Sequence, residues 1–281
     1  MRTVVKAIGL LFVVLALSCQ TEEVPPLPPS SPAVADTDAS KDSEEKPAPQ
    51  QPPINITSES FQEATFKGMP YRVLLPRNYD STKTYPLHIF LHGVGERGRD
   101  NEKQLSVGGA FFLTDSIRDR YPSFVVFPQC PSSDYWFDDE IMVQLKELVD
   151  TLIEKYPITK EQISLGGFSM GGYGTFSMVA RYPGLFVAAI AISGDGDERK
   201  ASSMAKPKWR IFAGGRDDIV PSSKSEKMAR ALANAGATVS FKLYPDTDHG
   251  GTWVHAFSEP DYFHWLYSQK DATSPEDVAK N

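Results

Sequence analysis

The sequence predicts an α/β fold: a mostly parallel sheet with helices on both faces and an antiparallel hairpin at its N-terminal edge. Three observations predict it. From about Phe61 onward, short apolar runs of strand length alternate with longer segments of helical periodicity. Two β-rich runs joined by a turn signal open that region. No internal repeat and no second change of texture interrupts it, so one domain is expected.

Each element follows in order. Phe61–Phe66 and Tyr71–Leu75 are strand candidates, joined by the turn signal Lys67-Gly68-Met69-Pro70. Leu87–Leu91 and Phe124–Phe127 are apolar runs that end in His92-Gly93 and in Pro128. Glu140–Tyr156 carries Ile141, Leu145, Leu148, Leu152 and Tyr156 at three- and four-residue steps, the period of a helix, and Pro157 closes it. Ile163–Leu165 is a strand, and Met170–Arg181 a helix with small residues on one side. Val187–Ile192 reads as a strand buried on both faces, because its apolar run is continuous. Trp209–Phe212 is the next strand, Ser222–Ala235 a helix ended by Gly236, Val239–Tyr244 the last strand, and Asp261–Gln269 a closing helix. In such sheets the site lies beyond the carboxyl ends of the strands, so the residues just after each apolar run carry the interest.

Composition bounds the function. The chain has 281 residues, 41% hydrophobic and 23% charged, with a net charge of -7 and two cysteines. That is enough apolar material for a full core, which excludes a wholly disordered chain, and too few cysteines for a disulfide-stapled one. An acidic balance argues against a nucleic-acid binder, which needs a basic face.

The first 57 residues read as processing and tether. Arg2 and Lys6 precede an apolar run from Ala7 to Leu17, the pattern of a secretory signal over 1–18, and the run is too short to span a bilayer. Residues 19–57 read as a disordered tether: Gln20 to Pro53 holds nine of the 22 prolines, and residues 20–50 carry seven acids against two lysines. Residues 58–272 form the expected catalytic domain and 273–281 a disordered tail.

Within that domain Gly167-Phe168-Ser169-Met170-Gly171 is a G-x-S-x-G sequence between a predicted strand and a predicted helix, the context this motif requires. The tight turn lifts the Ser169 hydroxyl at a helix N-terminus; a Gly-rich turn with a capping serine is the bland alternative. A serine hydroxyl needs a base, and the base an orienting acid. Of the five histidines, His88 lies in a strand, while His255 and His264 fall in helical stretches. His249 lies in Asp246-Thr247-Asp248-His249-Gly250-Gly251, read as a loop directly after the last strand, where a Ser, acid, His order puts the base. The acid belongs after Trp209–Phe212, where Asp217 and Asp218 are adjacent and chain logic does not choose; Asp195 and Asp197 are the fallback one strand earlier. His92-Gly93-Val94-Gly95 matches an oxyanion loop, which assigns the two donors to the backbone N–H groups of Val94 and Met170 and leaves the His92 ring a structural role. Trp136, Phe168 and Trp253 are aromatic candidates for an acyl, aryl or sugar surface, with the core as their alternative place.

These motifs together resemble the α/β-hydrolase superfamily, near its carboxylesterase, phospholipase-like and predicted-peptidase branch, and are similar to feruloyl and acetyl-xylan esterases. The resemblance runs through Leu91–Gly98 with Asp100-Asn101, Pro128-Gln129-Cys130-Pro131 with Trp136, Gly167–Thr175, Asp217-Asp218-Ile219-Val220-Pro221, and His249 with Trp253. It covers about residues 60 to 270. It implies Asp217 as the triad acid, and it usually places Gly where this chain has Asp248. Leu15–Cys19 resembles a bacterial lipobox, which implies lipid on Cys19 and anchoring to the cell envelope at the outer membrane or cell surface. Cys130 is then a free thiol, with packing as its expected role.

The expected function is an exported serine hydrolase that cleaves carboxylic esters through an acyl-enzyme, with feruloyl or acetyl esters of carbohydrates as the attractive subset. A serine peptidase of the same fold and a non-catalytic glycan- or partner-binding surface lipoprotein are the alternatives. No metal and no nucleotide cofactor are expected, because the histidines and cysteines lack ligand spacing and no G-x-G-x-x-G follows a first strand. The expected partners are a small-molecule or polymer-linked ester and, through the lipid, a membrane.

Overall fold

The computed structural model describes residues 60–270. The predicted signal (1–18), the tether (19–57) with Cys19, and the tail (273–281) lie outside the described residues.

An eight-stranded sheet organises the chain, in the order β1-β2-β4-β3-β5-β6-β7-β8. The strands are β1 (Gln62–Phe66), β2 (Met69–Leu74), β3 (Tyr85–Leu91), β4 (Phe124–Pro128), β5 (Ile158–Phe168), β6 (Ala188–Ile192), β7 (Lys208–Gly214) and β8 (Val239–Tyr244). β1 pairs with β2 and β2 with β4 in antiparallel fashion, and every later pairing is parallel. The helices are α1 (Gly109–Phe112), α2 (Asp115–Arg120), α3 (Asp139–Lys155), α4 (Met170–Arg181), α5 (Ser222–Asn234), α6 (His249–Phe257) and α7 (Tyr262–Ser268). Among the described residues no helix is long and apolar enough to cross a membrane.

Alternation of side chains along the strands splits the core in two. Leu87, Ile89 and Leu91 of β3 point to one face, where they join Leu145 of α3, Met178 of α4 and Met228 of α5. Phe90 points to the other, with Phe111, Phe112, Phe257 and Phe263 of α1, α6 and α7. That second face is largely aromatic: Phe112 meets Phe127 edge-on at 5.8 Å and Phe263 at 5.3 Å. The run of alanines in β6, all fully buried, leaves room for close packing on both sides.

Three boundaries differ from the sequence reading, each for a local reason. The hairpin turn is two residues long. Lys67 and Gly68 both have positive φ, 46° and 83°, the twist that matches adjoining strands, so Met69 and Pro70 already belong to β2. β5 runs from Ile158 to Phe168 and not only across its apolar centre. Gly166 and Gly167 have weak β-propensity of their own but, with Phe168, pair with Ile190, Ala191 and Ile192 of β6. His249 is not in a loop but opens α6, because the Asp248 carboxylate caps that helix by accepting from the Gly251 N–H at 2.7 Å. Two adjacent glycines in the first turn hide the helix from a periodicity reading.

Candidate active site

The site forms where β3, β5, β7 and β8 end. Ser169 follows β5 directly and stands at φ 55°, ψ -117°, a conformation that non-glycine residues rarely adopt. Neighbouring packing enforces it. A side chain at Gly167 would place its Cβ 2.2 Å from the Gly171 carbonyl oxygen, and one at Gly171 would lie 1.9 Å from that of Leu91. Backbone therefore touches backbone between the end of β3 and the start of α4. Gly172 and Gly194 make a similar close approach behind the turn.

His249 Nε2 lies 2.9 Å from Ser169 Oγ, and its Nδ1 lies 2.8 Å from Asp217 Oδ2. A carboxylate only accepts, so Nδ1 carries the proton and Nε2 is the acceptor of the serine O–H. The Asp217 side chain is fully buried. Its other oxygen accepts from the N–H groups of Ile219 at 3.1 Å and Val220 at 2.7 Å, so the carboxylate is fixed from two sides. Asp218 is exposed. The structure thus brings Ser169, His249 and Asp217 together and leaves the other acids aside. Asp195 pairs with Lys224 at 3.4 Å, Asp197 with Arg199 at 2.8 Å, and Asp246 with Arg216 at 2.8 Å.

The two backbone donors expected from the sequence both stand at helix starts. Val94 opens the 3-10 turn Val94–Glu96 and Met170 opens α4, so each N–H is a helix-terminal group without an intrahelical acceptor. His92 holds the first loop. Its Nε2 accepts from the Cys130 N–H at 3.0 Å, which puts the ring proton on Nδ1, and Nδ1 donates to the Gly93 carbonyl at 2.6 Å. Burial pushes His92 down to about 4, so the ring is neutral where these bonds are made.

The three aromatic candidates take different places. Trp136 has no exposed surface; it donates from Nε1 to the His92 carbonyl at 3.0 Å and packs edge-on against the His92 ring. It braces the loop from the core and lines no open surface. Phe168 is buried, with its ring 4.8 Å from the His249 ring. Trp253 is partly buried on α6, beside Phe111 and Phe257. Cys130 is a buried free thiol, pushed up to about 12 by burial. Among the described residues no group of histidine, cysteine and carboxylate side chains could hold a metal ion.

Sequence reasoning missed the exposed aromatics at the rim. Tyr135 and Phe137 are each 40% exposed and stack at 5.1 Å, on either side of Trp136 in the chain. The Arg97 guanidinium sits over Tyr135 and donates to the Val94 carbonyl at 3.2 Å. Phe137 meets Tyr173, one turn of α4 beyond Ser169, at 6.2 Å. The alternation Tyr135, Trp136, Phe137 carries an out-in-out signal, but nothing in it says which way is out.

An acid–base–serine relay of this geometry can activate a hydroxyl. Residues 133–263 match the model of the dienelactone hydrolase family. A search of curated proteins finds no match. A thermostable esterase is similar at 30% identity and TM-score 0.72, over 76% of this chain, which spans 64% of that protein. A feruloyl esterase module from Clostridium thermocellum, solved with sinapinate, is similar at 17% identity and TM-score 0.61, over 74% of this chain and 87% of that one. An acylaminoacyl peptidase from Pyrococcus horikoshii shares the fold at 14% identity and TM-score 0.58, over 78% of this chain and 43% of that one. With this sheet order, this strand-to-helix turn and these similar structures, the chain has the α/β-hydrolase fold.

Proposed function

We propose that the protein is a serine hydrolase acting on carboxylic esters. The observation that carries the reading is His249, hydrogen-bonded to Ser169 Oγ on one nitrogen and to buried Asp217 on the other. Ser169 Oγ attacks the ester carbonyl carbon while His249 Nε2 takes its proton. Asp217 holds the ring and stabilises the imidazolium without taking the proton itself. The N–H groups of Val94 and Met170 bind the oxyanion, each contributing about 3–4 kcal/mol of transition-state stabilisation. The imidazolium then protonates the leaving alkoxide. Water repeats the sequence on the acyl-enzyme, releasing the acid and restoring Ser169.

Esters are preferred to peptides because the thermostable esterase among the similar structures is 30% identical to this chain, against 14% for the acylaminoacyl peptidase. The signal-like N-terminus and the lipobox-like Leu15–Cys19 support export and lipid anchoring, and a surface tether suits substrates held on a polymer, such as feruloyl or acetyl esters of polysaccharides. The test is labelling of the purified protein with a fluorophosphonate probe. Covalent labelling that Ser169→Ala and His249→Ala both abolish is the expected result, followed by turnover of p-nitrophenyl, feruloyl and acetyl-sugar esters. A folded wild-type protein that takes no label defeats the mechanism.

A further inference from the structure

The loop that follows β3 is held by one buried side chain from the end of β4. Gln129 has no exposed surface, and its own N–H donates to the Pro70 carbonyl of β2 at 2.8 Å, so its backbone is tied to the sheet. Its amide is committed entirely to the loop. Nε2 donates to the Glu96 carbonyl at 3.1 Å and to Asp100 Oδ1 at 3.1 Å, and Oε1 accepts from the Asn101 N–H at 2.7 Å. The amide has one orientation here, because turned over it would set Oε1 against two acceptors and Nε2 against a donor. Beside it the Gly98 N–H donates to the Cys130 carbonyl at 2.9 Å. A side chain at Gly98 would put its Cβ 3.2 Å from Gln129 Nε2, so the chain closes tightly around the amide.

The Glu96 side chain continues the path toward the serine. Gly93 is the N-cap of the turn Val94–Glu96, and Glu96 is its third residue, the position from which a glutamate reaches back to the N-cap N–H. It does so here: the Glu96 carboxyl bonds the backbone N–H groups of Glu96 and Gly93, and Oε2 lies 3.1 Å from where a Gly93 Cβ would stand. That same point is 3.4 Å from the ring of Phe168, the residue before Ser169, so Glu96 and Phe168 close on Gly93 together. The Val94 carbonyl accepts from Arg97 Nε at 3.2 Å, and the Gly93 carbonyl from His92 Nδ1 at 2.6 Å. The turn is thus held at its start, its middle and its end, and none of these bonds uses the Val94 N–H.

We propose that Gln129 and Glu96 are positioning residues of the reaction: they hold the turn Val94–Glu96 so that the Val94 N–H meets the substrate oxyanion. The proposal rests on the ester-hydrolase reading of the triad. Both side chains act through the backbone, so their effect falls on the transition state, where charge develops on the oxygen, and not on ground-state binding.

Three measurements on the full-length chain test it: kinetics with p-nitrophenyl acetate, inhibition by a trifluoromethyl ketone, and a thermal melt. Ser169 Oγ adds to the ketone carbonyl carbon, and the adduct carries the same oxyanion as the transition state, so its Ki reads the donor. Gln129→Met keeps the volume and removes the amide; Glu96→Leu keeps bulk beside Phe168 and removes the acceptor. Each is expected to lower kcat about ten-fold with KM within about two-fold of wild type, and to raise the ketone Ki by about the same factor as kcat falls. Glu96→Gln still offers an oxygen to the Gly93 N–H and is expected to recover most of the loss. A lower melting temperature with kcat and Ki unchanged makes both residues structural and overturns the proposal, as does a Gln variant no better than the Leu one. Should Gln129→Met fail to fold, the two variants at the partly exposed Glu96 decide alone. A folded wild-type chain with no Ser169-dependent turnover sinks the hydrolase reading itself, a result distinct from turnover that the variants leave intact.

Discussion

The Phe168 ring lies 4.8 Å from the His249 ring and also underlies Gly93, where an added Cβ would stand 3.4 Å from its Cδ1. One side chain, directly before the nucleophile, thus supports both the base and the oxyanion loop. Phe168→Leu keeps most of the volume and removes the ring face. It is expected to lower kcat about ten-fold with a small change in melting temperature, because misplacing a base or donor by a fraction of an ångström weakens transition-state contacts more than folding. Steady-state kinetics with a p-nitrophenyl ester, beside a thermal melt, checks this; a large loss of stability with unchanged kcat would assign Phe168 to packing alone.

Asp217 and Asp218 separate the same way. Asp217 is fixed by two backbone N–H groups and His249, whereas Asp218 is exposed. Asp217→Asn presents an N–H₂ or a neutral oxygen where the imidazole N–H needs an anion. It is expected to lower kcat by about 10⁴, with the fold retained. Asp218→Asn is expected to leave the rate near wild type. Equal losses in the two variants would overturn the assignment of Asp217.

The clustering of Ser169, Asp217 and His249 is legible in the sequence because each stands within a few residues of the end of a strand run, and parallel strands bring those points to one sheet edge. The ends of β5 and the start of α6 are not legible from local pattern. Gly166 and Gly167 are strand because β3 and β6 pair with them on either side, and the first turn of α6 holds two glycines under a side-chain cap. The rim is hidden for another reason. Trp136 and Phe137 are adjacent, and only the tertiary contact of Trp136 with the His92 carbonyl decides that the indole goes inward and the phenyl out.

Two buried histidines predict acid sensitivity. Burial holds His88 down at about 3 and His92 at about 4, against an ordinary 6.5. Both folded values lie below the unfolded one, so between pH 6.5 and about 4 the unfolded chain binds more protons than the folded chain. Stability is therefore gained as pH rises through this window and lost as it falls, at up to about 1.4 kcal/mol per pH unit for each ring. Urea midpoints at pH 7, 6 and 5 measure the slope. His88→Gln, which can still bond Ser164, is expected to give a shallower one; the same slope in both proteins would exclude His88 as a contributor.

Cys130 is expected to be inert in the folded protein. With its thiol pushed up to about 12, about one molecule in ten thousand is thiolate at pH 8. A thiol reagent should modify it only in denaturant. Rapid modification under native conditions would show that the loop around His92 opens.

Asp248 makes a sharper test, because two roles for it predict different things. It directly precedes His249. Its carboxylate accepts from the Gly251 N–H, and its carbonyl from Thr252 Oγ, so the first turn of α6 is built on it and His249 is the first residue of that turn. If the side chain acts as a cap, Asp248→Ala leaves a helix-terminal N–H without its acceptor. It then costs about 1 kcal/mol of stability and lowers kcat by letting His249 swing, while Asn and Gly, which both tolerate that position, restore most of each. If it acts on the base by charge, removing the charge matters and the cap does not. Asp248→Asn would then move the pH–rate profile as far as Asp248→Ala does, with no rescue. The hydrogen bond to Gly251 favours capping, so rescue by Asn with the pH–rate profile in place is the expected outcome. A shifted profile in the Asn variant would show that Asp248 tunes the base through its charge.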